Sequence, residues 1–407
     1  MSLRAFGWLL VALFAHEVRA EALAIVNGKV VTLDQAGTLE RGTVLVRAGR
    51  IVAVGRDLPV PADARVIDAA GGWVTPGLFH PFSHLGLVEV FAFANANDAQ
   101  HRDAPHGPGL EVHHGLNPEV TGLAAARAAG ITRAAAFPAS FTQLFAGHGA
   151  LISVDEGGHV LFKAHGLQWL SIEDIGIRNA GGTRGSAWTT LLDMLDQAHA
   201  RDASGSAGSA LDRKALRAVL AGDVPLAIKV ERAADIRNAL ALVERHPRLK
   251  LILVGASEGW QVADAIARAG VPVIVSPFGS TPHTFEMLGA TRENASRLHA
   301  AGVRVSISPD RNPELPAVGK IRQAAGVAVA HGLPWEHGLR AISLNPAAAF
   351  GVGDQLGSIA PGKLADLVIW DGDPLELSSD PVQVFIEGRE QSLRSRQSEL
   401  RDRYLQP

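Results

Sequence analysis

The stretch Thr75–Gly86, which reads TPGLFHPFSHLG, carries two histidines in a pattern that could do chemistry. A Pro-Gly turn leads into an apolar run, as at the start of a buried strand. Because side chains alternate along a strand with a period of two, we expect His80, Phe82 and His84 to share one face. A buried imidazole is either a metal ligand or a hydrogen-bonded core side chain, and both interpretations stay open for His84.

The elements that must position these histidines repeat one pattern of helix, glycine or proline, and β-branched strand. Five such units lie at residues 117–137, 211–231, 233–255, 258–277 and 291–310. Successive αβ units predict a parallel sheet with helical crossovers. The strand in Thr75–Gly86 and less regular runs near 150–154 and 167–172 bring the total to about the eight strands of a (β/α)8 TIM-like barrel. A doubly wound open sheet is the rival fold, and the lack of a GxGxxG motif between strand and helix argues against it.

The two ends of the chain are rich in short β-type runs. Residues 21–72 contain three of them, with Asn27-Gly28 and Ala48-Gly49 placed as hairpin turns, and residues 357–374 and 382–389 contain more. We therefore predict a small β-sandwich domain built from residues 21–73 and 352–392, around a barrel at residues 74–351.

Two stretches of the middle region read as loops. Residues 201–210 form a Ser- and Gly-rich linker, and residues 95–116 contain His101, His106, His113 and His114. Since loops that follow barrel strands lie at the catalytic face, we expect residues 95–116 to cover the pocket mouth. These histidines are read either as solvated side chains or as ligands.

Composition excludes several classes of protein. The 407 residues are 47% hydrophobic, which is enough for a large core, and the net charge of −3 gives no basic face for nucleic acid. The absence of cysteine excludes disulfides and thiolate metal ligands.

The N-terminus predicts export. Arg4, an apolar run at residues 5–15 and the small residues Val18 and Ala20 are typical of a signal peptide over residues 1–20, with a buried helix as the alternative. We therefore expect a periplasmic or secreted protein that begins at Glu21, with no membrane span in the mature chain.

Three segments of this sequence resemble the amidohydrolase superfamily, in particular its imidazolonepropionase-like branch. The PGLFHPFSH run is similar to the family's first barrel strand, PGLIDxHxH. The runs at residues 332–351 (GLPWEHGLRAISLNPAAAFG) and 361–374 (PGKLADLVIWDGDP) are similar to its C-terminal signatures. The resemblance implies a barrel with a β-sandwich and metal-dependent hydrolysis.

The same resemblance implies a reduced set of metal ligands. In the family, two first-strand histidines, histidines that end strands five and six, and an aspartate that ends strand eight bind the metal. Here His84 and Asp310 match ligands and His80 is a stand-in, whereas the remaining positions hold Phe82, Lys229 and Gly255. The metal set is thus His84, Asp310 and His80, with zinc or another divalent cation or no metal as open alternatives, and the catalytic candidates are Asp310 and Lys229.

Lys229 has two interpretations that depend on the phase of its strand. If Lys229 points into the barrel, it is a buried cation that needs a partner, and we expect Asp310 to be that partner. If the phase differs, Lys229 is solvated and Glu231 takes the inward place.

Two functions are compatible with these residues. One is an exported hydrolase of C–N bonds in a small cyclic or acylated substrate. The other is a catalytically reduced family member that binds a small molecule or a partner without turnover, as a homo-oligomer or with a related subunit. The fold alone does not decide between them, because function depends on the site.

Overall fold

The computed structural model describes residues 22–89, 94–102, 104–199, 209–278, 282, 284–309 and 318–405. The predicted signal peptide, most of the predicted linker and Asp310 therefore lie outside the described residues. The strands in chain order are β1 (Ala22–Val31), β2 (Thr38–Arg47), β3 (Arg50–Gly55), β4 (Ala64–Asp68), β5 (Trp73–Pro76), β6 (Leu78–Ser83), β7 (Gln100–His101), β8 (Ile131–Ala136), β9 (Ala139–Ser140), β10 (Phe145–Ser153), β11 (Leu161–Ser171), β12 (Leu226–Val230), β13 (Leu251–Gly255), β14 (Val273–Val275), β15 (Val305–Ile307), β16 (Leu367–Trp370), β17 (Pro381–Ile386) and β18 (Arg389–Gln391).

The helices lie mainly in the middle of the chain, between the barrel strands. They are α1 (Thr121–Ala128), α2 (Asp174–Asn179), α3 (Arg184–His199), α4 (Ala210–Ala221), α5 (Ala233–Arg245), α6 (Ala263–Ala269), α7 (Asn294–Ala300), α8 (Ile321–Ala330), α9 (Trp335–Arg340), α10 (Leu344–Ala349) and α11 (Arg396–Leu405). In the part of the chain that the structure describes, no helix combines the length and apolar character that crossing a membrane requires.

The two chain ends form one sheet, as predicted. Its order is β18-β17-β16-β5-β1-β2-β3, and β4 pairs with β1. Ala48 and Gly49 form the predicted hairpin turn, with positive φ at both residues and Arg47 paired with Arg50. The turn predicted at Asn27-Gly28 is wrong, because both residues lie within β1, where the pairing to β2 shifts register between Ile25 and Gly28.

The middle of the chain forms a nearly closed barrel of eight strands, in the order β15-β14-β13-β12-β11-β10-β8-β6. The five predicted αβ units are present, and β11 to β15 pair in parallel. One strand departs from the predicted parallel sheet, since β10 runs antiparallel to both β8 and β11. The gap between β6 and β15 is bridged by residues 341–342, whose carbonyl oxygens accept hydrogen bonds from Phe79 N and Ile307 N.

Two apolar clusters hold the barrel. The outer cluster packs the strands against the helices, and the inner cluster fills the barrel with large rings from Phe79, Phe82, Phe137, Trp169 and Phe350. The barrel is therefore a packed core with room for chemistry only at its ends.

A buried ion pair joins the barrel to the composite sheet. Arg133 on β8 donates to both carboxylate oxygens of Asp366 at 2.6 and 3.1 Å, and to Glu387 at 3.0 Å. The Arg133 and Asp366 side chains are only 2% and 4% exposed, so each satisfies the other in place of water. The pair thereby fixes the barrel against the sheet.

Candidate active site at the barrel mouth

Strand β6 does not present His80, Phe82 and His84 on one face, so that prediction is wrong. The register of its pairing with β8 shifts twice. Between its pairs at His80 and Ser83, β6 advances by three residues while β8 advances by only two, from Ala134 to Ala136. The extra residue lies between His80 and Ser83 and forms a bulge beside Pro81, which has no N–H for the ladder. Phe79 and Phe82 consequently both enter the inner cluster.

His80 lies away from the barrel interior. It is opposite Ala134, which belongs to the outer cluster, and parallel neighbours in register point to the same side of the sheet. Burial lowers the pKa of His80 to about 3, and neither ring nitrogen has a hydrogen-bond partner among the described residues. The side chain is a neutral core histidine, and it does not stand in for the missing metal ligand.

His84 lies at the end of β6, next to the end of β8. Its Nδ1 donates to the Phe137 carbonyl oxygen at 2.6 Å, and burial lowers the pKa of the ring to about 4 against the raising effect of that hydrogen bond. The ring is therefore neutral, with its lone pair on Nε2, which is buried and has no partner among the described residues. His84 keeps one nitrogen suited to a ligand.

A cleft of about 350 Å³ opens above the aromatic rings of the inner cluster. Phe82 and Trp169 form its floor, with ring centroids 5.4 Å apart, and Phe137 packs edge-on against both. The walls come from the segment after β8, the end of β11 and the end of β12: Pro138, Ala139, Ser140, Gln143, Leu144, Ala146, Ser171, Glu173, Asp174, Ile175, Gly176, Arg178 and Lys229. A cavity of this size and mixed polarity suits a small organic molecule.

The loop at residues 95–116, predicted to cover the pocket mouth, lies beside the wall of this cleft. Within residues 95–116, strand β7 pairs with β9, and His101 Nε2 is 3.2 Å from the Ala146 carbonyl oxygen. His106 Nδ1 is instead 3.1 Å from Ser209 Oγ, at the start of α4. The segment thus packs against residues of the cleft wall.

Lys229 points into the cleft, as one of its two interpretations expected. Its Nζ is 2.7 Å from Glu173 Oε2, and the two side chains are 15% and 22% exposed. Sequence reasoning missed Glu173, although a carboxylate directly after an apolar barrel strand was the available signal. The predicted partner Asp310 lies outside the described residues, so the Lys229–Asp310 pair stays a prediction.

Glu231 also lies at the barrel mouth, in a small cavity next to the cleft. Its Oε2 accepts a hydrogen bond from Ser257 N at 2.9 Å and another from Ser257 Oγ. Burial and the charge of Glu173 raise the pKa of Glu231 to about 7, against the opposing effects of Lys229 and Ser257. Lys229 and Glu231 therefore both face inward, and Glu231 can hold or release a proton near neutral pH.

The comparisons with known proteins agree with this architecture. A sequence model described as the amidohydrolase family matches residues 243–391. The imidazolonepropionase of Acidiphilium cryptum (strain JF-5) is 28% identical over 373 residues, which span 84% of this chain and 89% of that protein. The imidazolonepropionase of Aromatoleum aromaticum is 28% identical over 374 residues, spanning 84% and 88%. A crystal structure of an amidohydrolase from Thermotoga maritima MSB8 shares the fold, with a TM-score of 0.82, 24% identity and coverage of 91% of this chain and 100% of its own.

These findings support an amidohydrolase superfamily member of the imidazolonepropionase-like branch.

Among the described residues, those at the family's metal position do not fit a metal ion. Phe82 supplies an apolar ring, Lys229 supplies a cation already in contact with Glu173, and neither can coordinate a dication. Gly255 has a φ of +88°, and a Cβ there would lie 2.5 Å from Glu231 Oε1, so the Glu231 carboxylate occupies the space of a side chain at 255. Of the described positions, only His84 offers a suitable nitrogen.

Proposed function

We propose that this amidohydrolase hydrolyses a C–N bond of a small molecule in the cleft, with side chains in place of the family's metal. The observation that carries the proposal is the grouping of Lys229, Glu173 and Glu231 at the ends of neighbouring strands β11 and β12. Hydrolysis needs a base that activates water, a group that stabilises the oxyanion and an acid for the leaving nitrogen. These three side chains include both an ammonium and a carboxyl group that titrates near neutral pH.

The roles follow from charge and position. Glu231 as a carboxylate takes a proton from water while the water oxygen attacks the carbonyl carbon of the substrate. The Lys229 ammonium donates to the oxygen that becomes negative, and Glu173 orients this ammonium. Glu231 then returns the proton to the nitrogen as the C–N bond breaks, which yields a carboxylic acid and an amine. Phe82 and Trp169 offer the flat apolar surface on which a ring of the substrate would lie.

The test is hydrolysis of a panel of cyclic and acylated C–N substrates by protein treated with a chelator. We expect turnover that survives chelation and is lost in Glu231→Gln, with Glu336→Gln as a matched control because Glu336 is an exposed carboxylate on α9. Turnover that needs added metal, or that persists in Glu231→Gln, would contradict the proposal.

A second function is favoured by one specific observation. Three positions that bind metal in the family hold Phe82, Lys229 and Gly255, which is the pattern expected of a member that binds a small molecule without turnover, alone or with a related subunit. Ligand protection of thermal unfolding without product formation across the same panel would support this function instead.

We also propose export of this protein, on the basis of the charged and apolar N-terminal residues and the small residues Val18 and Ala20. N-terminal sequencing of protein from the periplasm or medium should read from Glu21. An intact Met1 on the soluble protein would contradict export by this signal.

A further inference from the structure

A group of histidines around one glutamate lies outside the lining of the cleft. Glu111, His113 and His114 come from the loop before α1, and His165 comes from β11. Ligand atoms of the first three all lie within 4.8 Å of one another. This arrangement is independent of the family's metal position and of the function proposed above.

The distances from the Glu111 carboxylate to His113 and His114 are close to those around a metal ion, and His165 hydrogen-bonds to the other oxygen of Glu111. Glu111 Oε2 is 3.6 Å from both His113 Nδ1 and His114 Nε2, and Glu111 Oε1 is 3.2 Å from His165 Nε2. Ligands that bind zinc tetrahedrally at 2.0–2.1 Å are about 3.4 Å apart. The 3.6 Å separations are too long for hydrogen bonds, so Glu111 does not satisfy His113 and His114 directly.

A buried nitrogen points to a ligand within this group. His113 Nδ1 has no hydrogen-bond partner among the described residues. The ring of His148, which is 4% exposed, stacks on His165 with centroids 4.4 Å apart. An unpartnered buried imidazole nitrogen is costly unless something occupies its lone pair.

The backbone holds the loop against the strands that carry the other histidines. His148 N donates to the Leu110 carbonyl oxygen at 2.8 Å, and Glu111 forms an isolated bridge with His148. Gly147 permits this approach, because a Cβ there would lie 2.7 Å from the Leu110 oxygen and its φ is +111°. The donor atoms are thereby positioned by the fold itself.

We propose that Glu111, His113 and His114 bind one divalent transition-metal ion, and that His165 on β11 orients the Glu111 carboxylate through its hydrogen bond. Imidazole and carboxylate donors suit zinc, cobalt(II), nickel(II) or copper(II) rather than calcium or magnesium. His148 acts as a positioning residue, since its ring stacks on His165.

Titration of chelator-treated full-length protein with cobalt(II) chloride tests this site, because tetrahedral cobalt(II) gives intense visible absorption bands. We expect one cobalt ion per chain, displaced by zinc, and a rise in melting temperature on binding. Glu111→Gln and the double variant His114→Ala, His165→Ala should weaken cobalt binding about tenfold or more. Both changes lie at half-exposed or exposed side chains, so the fold should persist.

His299→Ala is the matched control, because His299 also lies in a close histidine pair, with its ring centroid 3.9 Å from that of His337. It should leave cobalt affinity and the bands unchanged. Failure of the wild-type protein to bind cobalt at millimolar concentration would overturn the site. So would equal affinity in the wild-type protein and in the Glu111 or double-histidine variants.

Discussion

Replacing Glu231 with glutamine should remove a pH dependence from the stability of the protein. Burial and the charge of Glu173 raise the pKa of Glu231 from 4.5 to about 7 in the folded state. Between these values the folded chain holds a proton that the unfolded chain has released, so stability falls as pH rises through this window. A shift of 7 − 4.5 = 2.5 units at 1.36 kcal/mol each gives a loss of about 3 kcal/mol by pH 8.

Urea denaturation of wild type and Glu231→Gln at pH 5 and pH 8 measures this loss, provided that the m values agree. Glutamine resembles the protonated acid and does not titrate, so the stability difference between the two proteins should change by about 2–3 kcal/mol in favour of the variant between pH 5 and pH 8, because part of the loss already occurs below pH 5. Other shifted groups, such as His80 and His84, affect both proteins equally. Glu336→Gln should behave like wild type, and an unchanged pH dependence in Glu231→Gln would refute the reasoning.

Further substitutions probe the other parts of the structure by urea denaturation. Arg133→Met should cost about 3–5 kcal/mol, because Asp366 keeps a buried charge without its partner; a loss below 1 kcal/mol would contradict the role of this pair. Lys229→Met should cost about 2–4 kcal/mol, and adding Glu173→Gln should restore part of the loss; additive costs would show that the two side chains are not coupled. Gly255→Ala should cost about 1–3 kcal/mol, since a φ of +88° strains any residue with a Cβ; a neutral effect would count against the crowding at this position.

The positions of the helices and strands were predicted better from the sequence than the parallel or antiparallel course of each strand. Glycines and prolines after apolar runs marked the ends of the helices, so the αβ units appeared where expected. The antiparallel course of β10 could not be predicted, because a strand buried on both faces reads as the same apolar run in either direction. The bulge beside Pro81 escaped prediction for a related reason, since a bulge depends on the neighbouring strand.

The candidate site was predicted in part. The resemblance identified Lys229 and Gly255 as positions of interest, and both lie at the barrel mouth. Glu173 was missed because it follows the less regular run near 167–172. That run is a barrel strand because it pairs with β12, and this pairing is not visible in the local sequence. The raised pKa of Glu231 follows from three-dimensional burial next to Glu173, which no local pattern reports.

The proposed hydrolysis depends on a carboxylic acid at the barrel mouth, Glu231, that exchanges a proton near neutral pH. Carbon-13 NMR titration of glutamate carboxyl groups in chelator-treated protein tests it most directly, with the Glu231 resonance assigned by its absence in Glu231→Gln. We predict one carboxyl resonance that titrates near pH 7, about two units or more above an ordinary glutamate. A Glu231 resonance that titrates below pH 5 would contradict a proton-exchanging role for Glu231.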